Sequence, residues 1–177
     1  MRLAPLAALV LAAGAALLPS RALAYEDELT VDVGVGYAHA FASGAVPSSG
    51  VPLALTASVG LNDVWTLRAT AAYALHPGDP TVHIGVLGAE LLYIVDILEI
   101  VPYFGAGVDA LASLSHGALG ADFAAHIVLG ADYLLSRSAY VGVDLRSYLL
   151  VSDLFATNPR FPVYLTVLAR VGFVFDL

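Results

Sequence analysis

No cysteine occurs in the chain, so neither a disulfide framework nor a thiolate metal site can hold it together. Lysine is absent as well, and fifteen carboxylates face only seven arginines. That balance excludes nucleic acid as a partner, since such proteins carry a basic footprint, and it leaves no polybasic patch for anionic lipid. A long apolar helix is also missing. The best candidate, Val82–Val108, is interrupted by Glu90, Asp96, Glu99 and Pro102. Each charge at a helix centre costs about 2.5–3.5 kcal/mol in a bilayer, which argues against a helical membrane protein. There is no HExxH, no GxSxG and no Gly-rich phosphate loop.

What is present begins with an export signal. Arg2 supplies a short positive region, Leu6–Leu18 an apolar core, and Ala22-Leu23-Ala24 a small-x-small cleavage site before Tyr25. The thirteen apolar residues fall short of the roughly 20 a spanning helix needs. Residues 1–24 are therefore expected to be a cleaved signal peptide and 25–177 a single domain. Losing Arg2 and Arg21 leaves five arginines against fifteen carboxylates, a formal charge near −10.

The clearest element lies near the C-terminus. From Val163 to Leu177 every odd position is apolar, while the even positions include Tyr164, Thr166, Arg170, Gly172 and Asp176. A period of two marks a strand with one greasy and one polar face. Its fifteen residues exceed the roughly 9–11 with which a tilted strand crosses a bilayer. The same alternation recurs upstream over Glu28–Phe41, Val51–Leu61, Val64–Leu75, Thr81–Val95, Glu99–Ala112, Asp122–Leu135 and Ala139–Val151. With Phe161–Leu177 the total is eight strands. Ala42–Gly50, Ser113–Gly120 and Ser152–Arg160 read as long loops, and His76–Pro80 as an intermediate one. The other connections are short. Long and short connections alternating round an even number of strands form the outer-membrane pattern, with both termini on the short-turn side.

The faces agree. Asp32, Arg68, Glu90, Asp109, Asp122, Asp132, Asp144, Arg146, Arg170 and Asp176 share one parity, with His83 as the main exception. The opposite parity is Val, Leu, Ile and Phe, with Tyr37, Trp65, Tyr73, Tyr93, Tyr133, Phe173 and Phe175 near strand ends, where amphipathic rings meet headgroups. A soluble lipocalin-type barrel would turn its apolar face inward. Here that face holds more bulk than a small lumen could take, whereas the charged face is otherwise rich in Gly, Ala and Thr. Because backbone groups in hydrocarbon must all be paired within the protein, the sheet must close. The expected fold is all-β, an eight-stranded antiparallel up-and-down transmembrane β-barrel.

LGAELLY (Leu87–Tyr93), VPYFGAGVDA (Val101–Ala110), ADYLLSRSAYVGVDLRSYLL (Ala131–Leu150) and RVGFVFDL (Arg170–Leu177) together resemble the small eight-stranded outer-membrane barrels typified by the OmpA transmembrane domain, OmpX and OmpW. The resemblance spans Glu28–Leu177. It implies a bacterial outer-membrane location, contact with outer-membrane lipid, and recognition of Arg170–Leu177 by the assembly machinery. Members of the group are variously structural, adhesive, transporting or enzymatic, so the resemblance leaves the role open.

The candidate site is the lumen charge cluster: Arg68, Glu90, Asp109, Asp132, Asp144, Arg146 and Arg170. Eight strands leave an interior that side chains can fill, so the cluster reads as a plug of paired charges in a monomeric, non-enzymatic barrel. Glu90 is the neighbour expected for Arg68, and Arg146 and Arg170 should share carboxylates. An acidic excess keeps a cation-preferring pore as the alternative, weakened because Asp32, Asp122 and Asp176 are expected near strand ends, where water solvates them. A lipid-modifying enzyme is a further alternative, with Ser113, Ser115 and His116 in the third loop and Asp153 as orienter. No histidine pair has spacing that specifies a metal, and nothing calls for a cofactor.

Overall fold

The computed structural model describes residues 28–41, 46–95, 100–115, 117–151 and 163–176. The expected signal peptide lies outside them. Eight strands form one closed antiparallel barrel in sequence order: β1 (Glu28–Phe41), β2 (Ser49–Gly60), β3 (Trp65–His76), β4 (Val82–Ile94), β5 (Ile100–Ser115), β6 (Ala118–Ser136), β7 (Ala139–Leu150) and β8 (Val163–Asp176). Closure is made by β8 against β1, paired from Glu28↔Asp176 to Phe41↔Val163. Each strand thus has two hydrogen-bonded neighbours and no edge is left to lipid.

Register fixes the geometry. One row of partners runs Phe41–Val163–Leu149–Ala125–Val108–Ala89–Ala69–Ala57–Val31. It returns to β1 ten residues from its start, from 41 to 31. With about 3.3 Å per residue and about 4.8 Å between strands, that stagger tilts the strands by about 40°. The row lies on the outside throughout. Val108 and Ile127 are 67% and 62% exposed, which no soluble exterior needs and hydrocarbon rewards.

Aromatic rings bracket this apolar belt. At the turn end Trp65 meets Tyr93 edge-on at 5.2 Å, and Tyr93 lies 5.3 Å from Phe104. At the loop end Tyr37, His39 and Phe41 cluster, and Tyr73 bonds His83. His83, the off-parity residue, is therefore a member of the outer girdle. Eight positions separate Trp65 from Tyr73, and ten separate His83 from Tyr93. At the tilt above, the girdles stand about 20–25 Å apart, the height of an outer-membrane apolar band.

The expected strand bounds hold to within two residues except around the third loop. Ser113–Gly120 is not a flexible loop: β5 runs to Ser115 and β6 starts at Ala118, paired Ala112↔Ala121 and Leu114↔Leu119. Gly117, just before β6, has a φ of 78° that other residues resist. The ladder thus runs on through this segment, pairing to Ser115↔Ala118. The connection after β5 is accordingly short, and the regular alternation of long and short connections fails there. The turn after β2 is short as expected. Asn62 Oδ1 accepts from the backbone N–H of Val64 and Trp65, which holds the reversal.

Candidate functional site

Inward positions of all eight strands meet in a filled lumen. Its loop end is largely apolar: Val82, Ile84 and Val86 of β4 pack with Leu111, Leu150, Tyr148 and Tyr164, beside the buried His76 that bonds Pro47 O and the Tyr164 hydroxyl. Glycine, alanine and threonine do not dominate β4, as the composition of the inner face suggested; branched residues there take the space instead. Beneath this layer lies the charge cluster. Near the turn end Leu92, Tyr103 and Val128 form a second apolar group.

Arg146 is the centre of the cluster and is fully buried. Its Nη2 donates to Glu90 Oε1 at 2.8 Å and to Asp144 Oδ2 at 3.1 Å. Nη1 donates to Thr70 and Nε to Asp144 Oδ1. Arg68 and Glu90 are register partners, yet they stand 3.6 Å apart, and Arg68 is nearer to Asp144 at 3.3 Å. Arg170 donates to Asp32 at 2.8 Å and to Asp132 at 2.5 Å, with Nε 3.7 Å from Asp144. Asp144 thus serves all three arginines, the sharing expected for Arg146 and Arg170. Removing such ions from water costs several kcal/mol each, so only pairing of this density can keep them ionised inside.

One placement differs from the sequence reading. Asp32 was expected at a solvated strand end; it is buried, bound by Arg170 and by the Tyr140 hydroxyl at 2.9 Å. Asp176 is exposed at the rim and Asp122 only half-buried, so neither joins the cluster. Ser113 and Ser115 lie on β5 at inward-facing positions, while His116 and Asp153 fall outside the described residues.

Several participants were not singled out from sequence. His126, between Asp109 and Glu90, bonds both. The Tyr103 ring lies under Arg68 at 4.7 Å and Arg170 at 5.4 Å, so its π face attracts both cations. Their parity was legible, but nothing in the sequence tells which inward residues share a level. Glycines signal where the large side chains go. Gly130 faces the Tyr103 ring, Gly172 faces Tyr140 and Gly107 faces His126, and a Cβ at any of them would strike that ring. Gly130→Ser should therefore lower barrel stability by about 1–3 kcal/mol through overpacking, although a small polar residue facing the lumen would otherwise be harmless. Urea unfolding in detergent micelles, followed by the emission of the single tryptophan, measures this.

A closed eight-stranded sheet, apolar outside and charged within, defines an outer-membrane-type β-barrel. No protein-family model and no curated protein sequence matches the chain. Solved structures do. Neisserial surface protein A matches with a TM-score of 0.63 at 14% identity, over 85% of this chain and 96% of that one. Ail, the attachment invasion locus protein of Yersinia pestis, matches at 0.57 and 13% identity, over 85% and 99%. The outer membrane enzyme PagL matches at 0.50 and 17% identity, over 84% and 99%. At such identities the likeness speaks to the fold alone, and the fold carries surface proteins and an enzyme alike.

Proposed function

We propose that this chain is a monomeric, non-enzymatic barrel of the bacterial outer membrane, with a sealed lumen and a structural or surface-contact role. The observation that carries the reading is the way Arg146, Glu90 and Asp144 lock across the lumen beneath an apolar layer. An ion entering from the loop end would meet Val82, Ile84, Leu111 and Leu150 before any arginine or carboxylate of the cluster. A cavity of about 10 Å³, room for a single water, lies beside Arg146 and Thr166. The outward faces match lipid all round, which favours a monomer. Inward placement of Ser113 and Ser115 supports a non-enzymatic role, because a lipid substrate would approach from the other face.

A cation-preferring pore is the second reading. Five buried or largely buried carboxylates (Asp32, Glu90, Asp109, Asp132 and Asp144) outnumber the three arginines of the lumen. Planar-bilayer recording of the purified barrel separates the two. A sealed lumen gives no stable conductance at neutral pH; steady cation-selective openings of the wild type would replace the plug with a pathway.

A further inference from the structure

Three groups in the lumen meet in a way that a plug does not by itself require. The imidazole of His126 lies between two carboxylates on successive strands. Its Nδ1 is 2.5 Å from Asp109 Oδ2, and its Nε2 is 2.7 Å from Glu90 Oε2. An ionised carboxylate can only accept a hydrogen bond, and a neutral imidazole has one N–H and one bare lone pair. With a single proton among the three groups, one contact would set lone pair against lone pair at hydrogen-bond distance. Both contacts are attractive only when the triad holds two protons, either both on the ring or one on the ring and one on a carboxyl.

The surroundings keep the three together. From β7, Arg146 donates to the other oxygen of Glu90, and the Tyr148 ring lies 5.3 Å from the imidazole, backed by Tyr164 of β8. From β3, Arg68 approaches Glu90, while Asp144 lies between the two arginines. Arg170 of β8 and Asp32 of β1 lie beyond Asp144. Gly107 leaves the space that the imidazole occupies. Asp109 Oδ1 has no hydrogen-bond partner among the described residues. Asp109 therefore depends on His126 alone for a cationic or donating neighbour.

We propose that Glu90, Asp109 and His126 form a proton-binding site inside the barrel, whose ligand is the second proton shared by the triad. That proton supplies the donor that three arginines, spread over five carboxylates, do not. The site goes beyond the sealed-lumen reading and is tested separately from it, since bilayer recordings report conduction and spectroscopy reports the proton.

Histidine ¹⁵N NMR of the refolded barrel in micelles at neutral pH is the direct experiment, with His126→Gln identifying the His126 signals by subtraction. The expected result is two protonated ring nitrogens, or one together with a protonated-carboxyl infrared band that Asp109→Asn or Glu90→Gln removes. On titration of the wild type into alkali, the doubly protonated ring should give way to a bare-nitrogen signal, and the ring with a protonated carboxyl should lose its carboxyl band. A bare ring nitrogen at neutral pH with no protonated carboxyl would overturn the proposal. Should His126→Gln fail to refold, Asp109→Asn provides the assignment, because it alters the group bonded to Nδ1.

Discussion

Replacing Arg146 by alanine should destabilise the folded barrel by about 3–5 kcal/mol, the cost of breaking a buried ion pair from one side. The guanidinium is fully buried and donates to Glu90, Asp144 and Thr70, so its removal leaves buried acceptors short of a donor. Arg68 moderates the loss. It already stands 3.6 Å from Glu90 and 3.3 Å from Asp144, and a small shift lets it serve both. The effect should therefore fall at the lower end of the range and grow in Arg68→Ala/Arg146→Ala. Urea titration in lipid vesicles reads the stability, with the emission of Trp65 at the turn-end girdle as reporter. The truncated side chain would also open the water-sized cavity it now lines. Brief conductance events in the variant, absent from the wild type, are the expected companion. An unchanged urea midpoint would show that the cluster is dispensable to closure.

The second large effect is on the outside. Leu129→Arg places a guanidinium on β6 between Ile127 and Ala131, on the lipid face inside the girdles. There it costs about 2–4 kcal/mol near the bilayer midplane, less where the side chain can snorkel to the interface. Refolding yield into vesicles, scored by the shift of the Trp65 emission on insertion, should fall sharply. The neighbouring Gly130→Ser acts by another route, steric pressure on Tyr103, so the two should differ in bilayers of different thickness. The Leu129 effect should track hydrocarbon thickness and the Gly130 effect should not. Equal yields for the wild type and Leu129→Arg would reverse the assignment of faces on β6.

How far the sequence reached can be judged from particular residues. The alternation in Val163–Asp176 is a local property of the chain, and it was sufficient to separate Arg170 from Val171 and assign one to lumen and one to lipid. The same holds for Trp65 against Thr66 and for Leu129 against Gly130. It failed at Ser113–Gly120, where small residues and glycine carry too little hydrophobic contrast to distinguish a ladder from a loop. Pairing Leu114 with Leu119 is a decision of two strands together.

By itself, then, the sequence determined eight strands, the two faces of each, and the inward parity of the cluster's charges. A two-residue period and the cost of charge in hydrocarbon suffice for that. Only the closed sheet decided which charges meet. The rows of partners climb ten residues in one circuit, so the depth of a side chain depends on how the barrel closes. Arg68 and Glu90 are direct register neighbours, yet Glu90 is held more closely by Arg146, 56 residues away. Arg170 reaches Asp32 across 138 residues of chain, and His126 falls between Glu90 and Asp109 because β4, β5 and β6 bring all three to one level. Side chains that cross a lumen interact through distance in space, which the tilt and stagger of the whole barrel set and no single strand encodes.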